Sequence, residues 1–187
     1  MYKYILASAS PRRKELFGFI ADDFDCISPN VEEIVPEDIP TYKSVEYLAK
    51  IKANFIAKNL TDTIVVGADT AVFAGGQMLG KPKDNQDAFD MLKMLSGKTH
   101  KVITGCCVCL NGKECCFSEQ TEVTFFDLTD QEINDYIATG EPNDKAGAYG
   151  IQGKGRMLIK GIQGDFYNVV GLPVARLNRE IKNFCDF

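Results

Sequence analysis

Thr63-Ile64-Val65-Val66-Gly67-Ala68-Asp69-Thr70 is the stretch on which the fold turns. Ile64, Val65 and Val66 are β-branched and apolar, the composition of a strand buried on both faces. The reading predicts a short strand over Thr63 to Val66 that runs straight into Gly67-Ala68-Asp69-Thr70. In α/β folds ligands gather outside the ends of central strands. A carboxylate at Asp69 is therefore expected to face a cleft and to be suited to orienting or deprotonating water. A second strand from Ala71 to Ala74, a Gly75-Gly76 turn and Gln77 to Leu79 predict a hairpin closed by Lys81-Pro82.

Upstream, Lys3 to Ala7 reads as the first strand. Ser10-Pro11 then supplies an N-cap and a proline at the first position of a helix over Pro11 to Phe19. Phe24 to Ser28 is a second strand, and Pro29 to Pro40 is an acidic, proline-punctuated loop carrying Glu32 and Glu33. From Thr41 to Leu60, Val45, Leu48, Ala49, Phe55 and Ile56 recur at helical spacing and define a buried stripe with Lys52 in its middle. On the helix alone, the Lys52 stem either snorkels to solvent, the commoner case, or aims its ammonium at an anion in a cleft.

Downstream, Asp84 to Leu95 is an amphipathic helix with Ala88, Phe89, Leu92 and Leu95 on one face and Ser96-Gly97 as its stop. Val102 to Leu110 and Glu114 to Phe125 are long strands joined by Asn111-Gly112, a strong hairpin signal. Thr129 and Glu132 form a capping box for a helix ending at Gly140. After the glycine-rich stretch Glu141 to Gly155 come a strand near Met157 to Ile162 and a helix from Pro173 to Phe184. The class is α/β: a mixed central sheet flanked by helices, with an antiparallel hairpin lobe.

At 187 residues, 45% hydrophobic and 25% charged, the chain is one ordinary or compact two-lobed domain. The apolar run after Met1 is too short for a signal peptide or a membrane span, so a cytoplasmic protein that does not engage a membrane is expected. A net charge of −5 argues against nucleic-acid binding, which depends on a broad basic face. The seven cysteines include Cys106, Cys107, Cys109, Cys115 and Cys116 in one short stretch. Adjacent cysteines on a strand point to opposite faces, so the cluster reads as small apolar residues of a reduced protein and not as a zinc set.

Four segments concentrate polar residues. Ser8-Ala9-Ser10-Pro11-Arg12-Arg13 leads from a strand into a helix start, where free N–H groups and planar guanidinium groups suit phosphate. Glu32-Glu33 and Asp69-Thr70 bring carboxylates that could converge on one Mg²⁺, although an acidic loop by itself is ordinarily just solvated. In Asp144 to Gly153, glycines let the backbone approach a ligand, and Gln152 can read the edge of a base. A tight glycine turn with an exposed Gln explains the same residues without a ligand. Gly75 to Lys81 has P-loop spacing, but Pro82 replaces the required hydroxyl residue. His100, the sole histidine, has no triad partner in view.

Taken in order, LASASPRR (Leu6 to Arg13), VVGADT (Val65 to Thr70), GKP (Gly80 to Pro82), MLSGKTH (Met94 to His100), TGEPNDKAGAYGIQG (Thr139 to Gly153) and GDFYNVVGLP (Gly164 to Pro173) resemble the Maf family across nearly the whole chain. The resemblance implies a single domain over residues 1–187, two lobes around a cleft, with a fold similar to inosine triphosphate pyrophosphatases. It implies a nucleotide pyrophosphatase that cleaves between the α and β phosphates with a divalent cation, Mg²⁺ or Mn²⁺. A cytoplasmic homodimer is implied as well. In this chain Asp69 matches the proton acceptor, Arg12, Thr70 and Gln152 match positions of substrate choice, and Ser8, Arg13, Glu33, Lys52 and Lys81 match the phosphate and metal site. Glu33 and Asp69 are the expected metal ligands. The AGAYGIQG form is similar to the branch hydrolysing dTTP and UTP, as opposed to 7-methyl-GTP. The family's association with septum formation leaves one alternative: a nucleotide-binding division regulator that needs the phosphate cradle but no general base.

Overall fold

The computed structural model describes residues 2–185; Met1, Asp186 and Phe187, which the expected domain includes, lie outside them. Among the described residues one sheet has the hydrogen-bonded order β2-β1-β3-β5-β6-β7, with β4 paired to β3. These strands are β1 Lys3–Ala7, β2 Asp25–Cys26, β3 Thr63–Ala74, β4 Gln77–Leu79, β5 Thr99–Leu110, β6 Lys113–Phe125 and β7 Ile159–Gln163. The helices are α1 Pro11–Phe17, α2 Ser44–Ala57, α3 Asn85–Leu95, α4 Asp130–Ile137, α5 Phe166–Val170 and α6 Val174–Cys185. None of the described helices is long and apolar enough to cross a membrane.

The sheet is mixed, as expected. β1 pairs in parallel with β2 and β3, whereas β3–β4 and β6–β7 are antiparallel. The chain divides into two compact units, Met1–Asp69 with Thr104–Glu119 and Gly171–Phe187, and Thr70–Ile103 with Gln120–Val170. Strands β3, β5 and β6 each run from one unit into the other, and the chain passes between units once more at Val170 and Gly171.

In the first unit, Ile5, Ala7, Ala49, Ala53, Val65, Cys107 and Cys109 form a buried cluster. Two glycines bring α2 close to the strands. A Cβ on Gly67 would run into the Ala49 carbonyl and come within 2.8 Å of the Ala53 nitrogen, and one on Gly105 would collide with the backbone of Val45 and Glu46. In the second unit, α3 and α4 cover a cluster that includes Leu92, Leu95, Val123, Phe125, Ile133 and Tyr149. The Thr129–Glu132 capping box is present in full.

The structure differs from the sequence reading at definite places. The two short strands expected around Gly67-Ala68-Asp69-Thr70 are one continuous β3. Its partner on one edge changes there: β1 pairs as far as Gly67, and β4 takes over from Val72. The helix expected from Thr41 begins at Ser44 after a 3₁₀ turn over Thr41–Lys43, and Phe55 on its expected stripe is exposed. Only Asp25–Cys26 pair as β2. The first helix stops at Phe17, where the Gly18 N–H bonds back to the Lys14 carbonyl. α5 was not foreseen, because Phe166–Val170 is too short to show a period.

Candidate active site

The seating of α2 on Gly67 decides the geometry. Gly67 and Asp69 lie two apart on β3 and so share a face, and the helix held at Gly67 carries Lys52 to that face. The Lys52 ammonium lies 2.6 Å from Asp69 Oδ1 and 3.0 Å from Glu33 Oε2. Lys52 is 8% exposed, so its stem does not snorkel: the anion-directed reading is the one the helix adopts. Glu33 reaches the same ammonium from the acidic loop while remaining half in solvent. Asp69 stands just past the last residue of β3 that pairs with β1. It is therefore inside a strand, yet beyond the end of its parallel neighbour, which restores the strand-end placement by another route.

The segment after β1 supplies the rest of this cluster. Ser8 is buried, and its oxygen accepts from the Ser10 N–H at 3.2 Å. Ser10 caps α1 by accepting from the Arg13 N–H. The Arg13 Nε donates to the Gly171 carbonyl at 2.9 Å, which fixes the guanidinium from the far end of the chain. Burial pushes Arg13 below its ordinary value, and Asp69 and Glu33 oppose that shift. Arg12 is half-buried beside it. α1 has only 7 residues, so its dipole is small and the arginines carry most of the positive field.

Ser8, Arg12, Arg13, Glu33, Lys52 and Asp69 thus belong to one compact unit. Thr70 follows Asp69 in β3 and is half-buried, while Lys81 and Gln152 are exposed in the second unit. There the Gly80 carbonyl accepts from the Gly147 N–H at 2.9 Å, which ties the GKP segment to the glycine loop. Gly147 has φ +68° and packs so closely on Val72 that a Cβ would reach 2.9 Å from it.

Sequence reasoning missed Glu141. Its carboxylate accepts from the N–H groups of Lys154 at 2.7 Å and Gly155 at 3.1 Å, and from the Tyr136 hydroxyl at 2.9 Å. These bonds fold the loop that presents Gln152, and with Lys145 beside it they hold the Glu141 carboxyl below its ordinary range against the opposing effect of burial. A glutamate followed by proline at a turn had offered no hint of this work. His100 also has a partner: its Nε2 lies 2.7 Å from the Tyr149 hydroxyl, and the ring packs edge-on against Phe125 and Tyr149. It is a buried core histidine, with its pKa pushed down to about 4 by burial.

Two carboxylates meeting an ammonium next to a fixed guanidinium form a site with opposite charges at close quarters. Lys52 takes one oxygen of each carboxylate, leaving each a second oxygen. This hard-oxygen donor pair fits a divalent cation that completes its shell with water and phosphate.

A family model described as Maf-like protein matches residues 3–184. The chain belongs to the Maf family. It is 50% identical over 189 residues to a protein of Bacillus cereus (strain B4264) named dTTP/UTP pyrophosphatase, covering 98% of this chain and 96% of that one. It is 51% identical over 184 residues to the Bacillus cytotoxicus protein of the same name, with the same coverage. Among solved structures, the Staphylococcus aureus Ham1 protein superposes with a TM-score of 0.57 at 15% identity, covering 97% of this chain and 99% of that one. A HAM1 protein from Coxiella burnetii gives 0.52 at 15% identity, covering 98% and 100%. The Maf fold expected from the sequence blocks is therefore the fold present.

Proposed function

We propose that this Maf protein hydrolyses dTTP and UTP to the nucleoside monophosphate and pyrophosphate. The observation that carries the reading is the Lys52 ammonium held by Asp69 and Glu33 in the unit that contains Arg12 and Arg13. The name dTTP/UTP pyrophosphatase borne by relatives of about half identity over nearly the full length supports the substrate.

Arg12, Arg13, Lys52 and Lys81 bind the triphosphate oxygens, with Ser8 lending a hydroxyl. Lys52 fixes the rotamer of Asp69, which accepts the proton of the attacking water. Charge building on the departing pyrophosphate is met by guanidinium and ammonium groups already in place, so little reorganisation is spent at the moment of reaction. Mg²⁺ or Mn²⁺ held through Glu33 and Asp69 would supply polarisation of a phosphoryl oxygen and neutralise phosphate charge. Arg12, Thr70 and Gln152 select the base and sugar. The protein works as a cytoplasmic homodimer.

The test is pyrophosphate release from UTP, dTTP, CTP, ATP and GTP with Mg²⁺ or Mn²⁺, and with chelator. Pyrophosphate from UTP and dTTP above the others is the expected result. Release of orthophosphate instead, or nucleotide binding without turnover, would overturn the proposal; the latter would favour a regulator that only holds nucleotide.

A further inference from the structure

Three cysteines and a carboxylate share one face of the β5–β6 hairpin. The two-residue turn Asn111-Gly112 places Cys109 opposite Glu114 and Cys107 opposite Cys116. Residues two apart on a strand point the same way, so the rule that separates Cys106 from Cys107 gathers Cys107, Cys109 and Cys116. The sequence reading applied only the first half of that rule. Cys107 Sγ lies 3.9 Å from Cys109 Sγ and 2.7 Å from Cys116 Sγ. The ligand atoms of Cys107, Cys109 and Glu114 all fall within 4.8 Å of one another.

Two sulfurs bound to one tetrahedral zinc at about 2.3 Å each stand about 3.8 Å apart, so the Cys107–Cys109 spacing already suits such an ion. Helix α2 orients the donors. The Asn54 side-chain oxygen lies 3.3 Å from Cys109 Sγ, its amide donates to Glu114 Oε2 at 2.9 Å, and Lys50 pairs with Glu114. Cys107 and Cys109 are buried and Glu114 is exposed, which gives an entry from solvent.

We propose that Cys107, Cys109 and Glu114 form a binding site for a thiophilic divalent cation of the zinc class, with Cys116 turning in as the fourth donor. Each thiol that ligates releases its proton to solvent, and no oxidation state changes. The soft sulfur donors set this site apart from the oxygen donors at Asp69.

The test is titration of the fully reduced protein with Cd²⁺, followed by thiolate-to-metal charge-transfer absorption, and with Zn²⁺ against a chromophoric chelator. One equivalent bound more tightly than about 1 μM, with proton release, is expected. The charge-transfer band should vanish in C107S/C109S, with far-UV dichroism checking that the variant folds. In N54A, altered only on the exposed side of α2, affinity should fall about tenfold. No band, a band unchanged in C107S/C109S, or a Cys107–Cys116 disulfide that forms in place of metal uptake would overturn the site.

Discussion

In the proposed mechanism a single side chain, Asp69, separates catalysis from binding. Asn keeps the shape of Asp69 and its contact with Lys52 but cannot take a proton. Asp69→Asn is therefore expected to lower kcat at least ~10²-fold with KM for UTP nearly unchanged, measured by steady-state pyrophosphate release; activity within a few fold of wild type would remove Asp69 from the role. Gln152→Ala should change the ratio of kcat/KM between UTP and CTP more than kcat for UTP, because the role proposed for this exposed loop amide is base recognition and not action on the reacting bond. His100 bears on stability instead. Its folded pKa of about 4 lies below its ordinary 6.5, so between those values the unfolded chain takes up a proton that the folded one refuses. The stability present above pH 6.5 is lost as pH falls, by about 2 kcal/mol at pH 5. Urea denaturation at pH 7 and pH 5 checks this, and His100→Gln should flatten the difference.

Among the elements, α2 is the one whose seating the site depends on. Gly67→Ala would drive a methyl group into the Ala49 carbonyl and the Ala53 backbone, and backbone yields less readily than a flexible side chain. A loss of about 1–3 kcal/mol is expected, together with a fall in kcat as Lys52 is carried away from Asp69. Chemical denaturation and kinetics on the same preparation check both halves. How far the sequence could be read varied in the same way from element to element. β1, α3, the Asn111-Gly112 hairpin and the Thr129 capping box were legible because periodicity, turn chemistry and caps are local. The unbroken β3 was not, since a polar stretch inside a strand is explained only by the partners on its edges. Asp69 was legible as a carboxylate beside a strand end, but its convergence with Lys52 and Glu33 depends on how tightly a helix can approach a glycine, and Glu141 on bonds to a loop not yet folded around it.

On the scale of the molecule, the continuity of β3, β5 and β6 through both units makes their backbone ladders common property. A strand cannot lose its pairing in one unit without loosening the register of the other. Thermal unfolding followed by far-UV dichroism and by tyrosine fluorescence should therefore give coincident single transitions; two separated midpoints would show that the units melt independently. The six sequence blocks sufficed for the family because they are spread over both units, so no one region carries the match alone.

The same four passages of the chain between units bear on how the protein can be cut and rejoined. Neither half of the gene encodes a self-contained body, so a split at Asp69–Thr70 should yield two insoluble fragments. New termini, tags or reporter insertions belong at Gly75–Gly76 or at Gly112, where a Cβ would meet nothing within 4 Å.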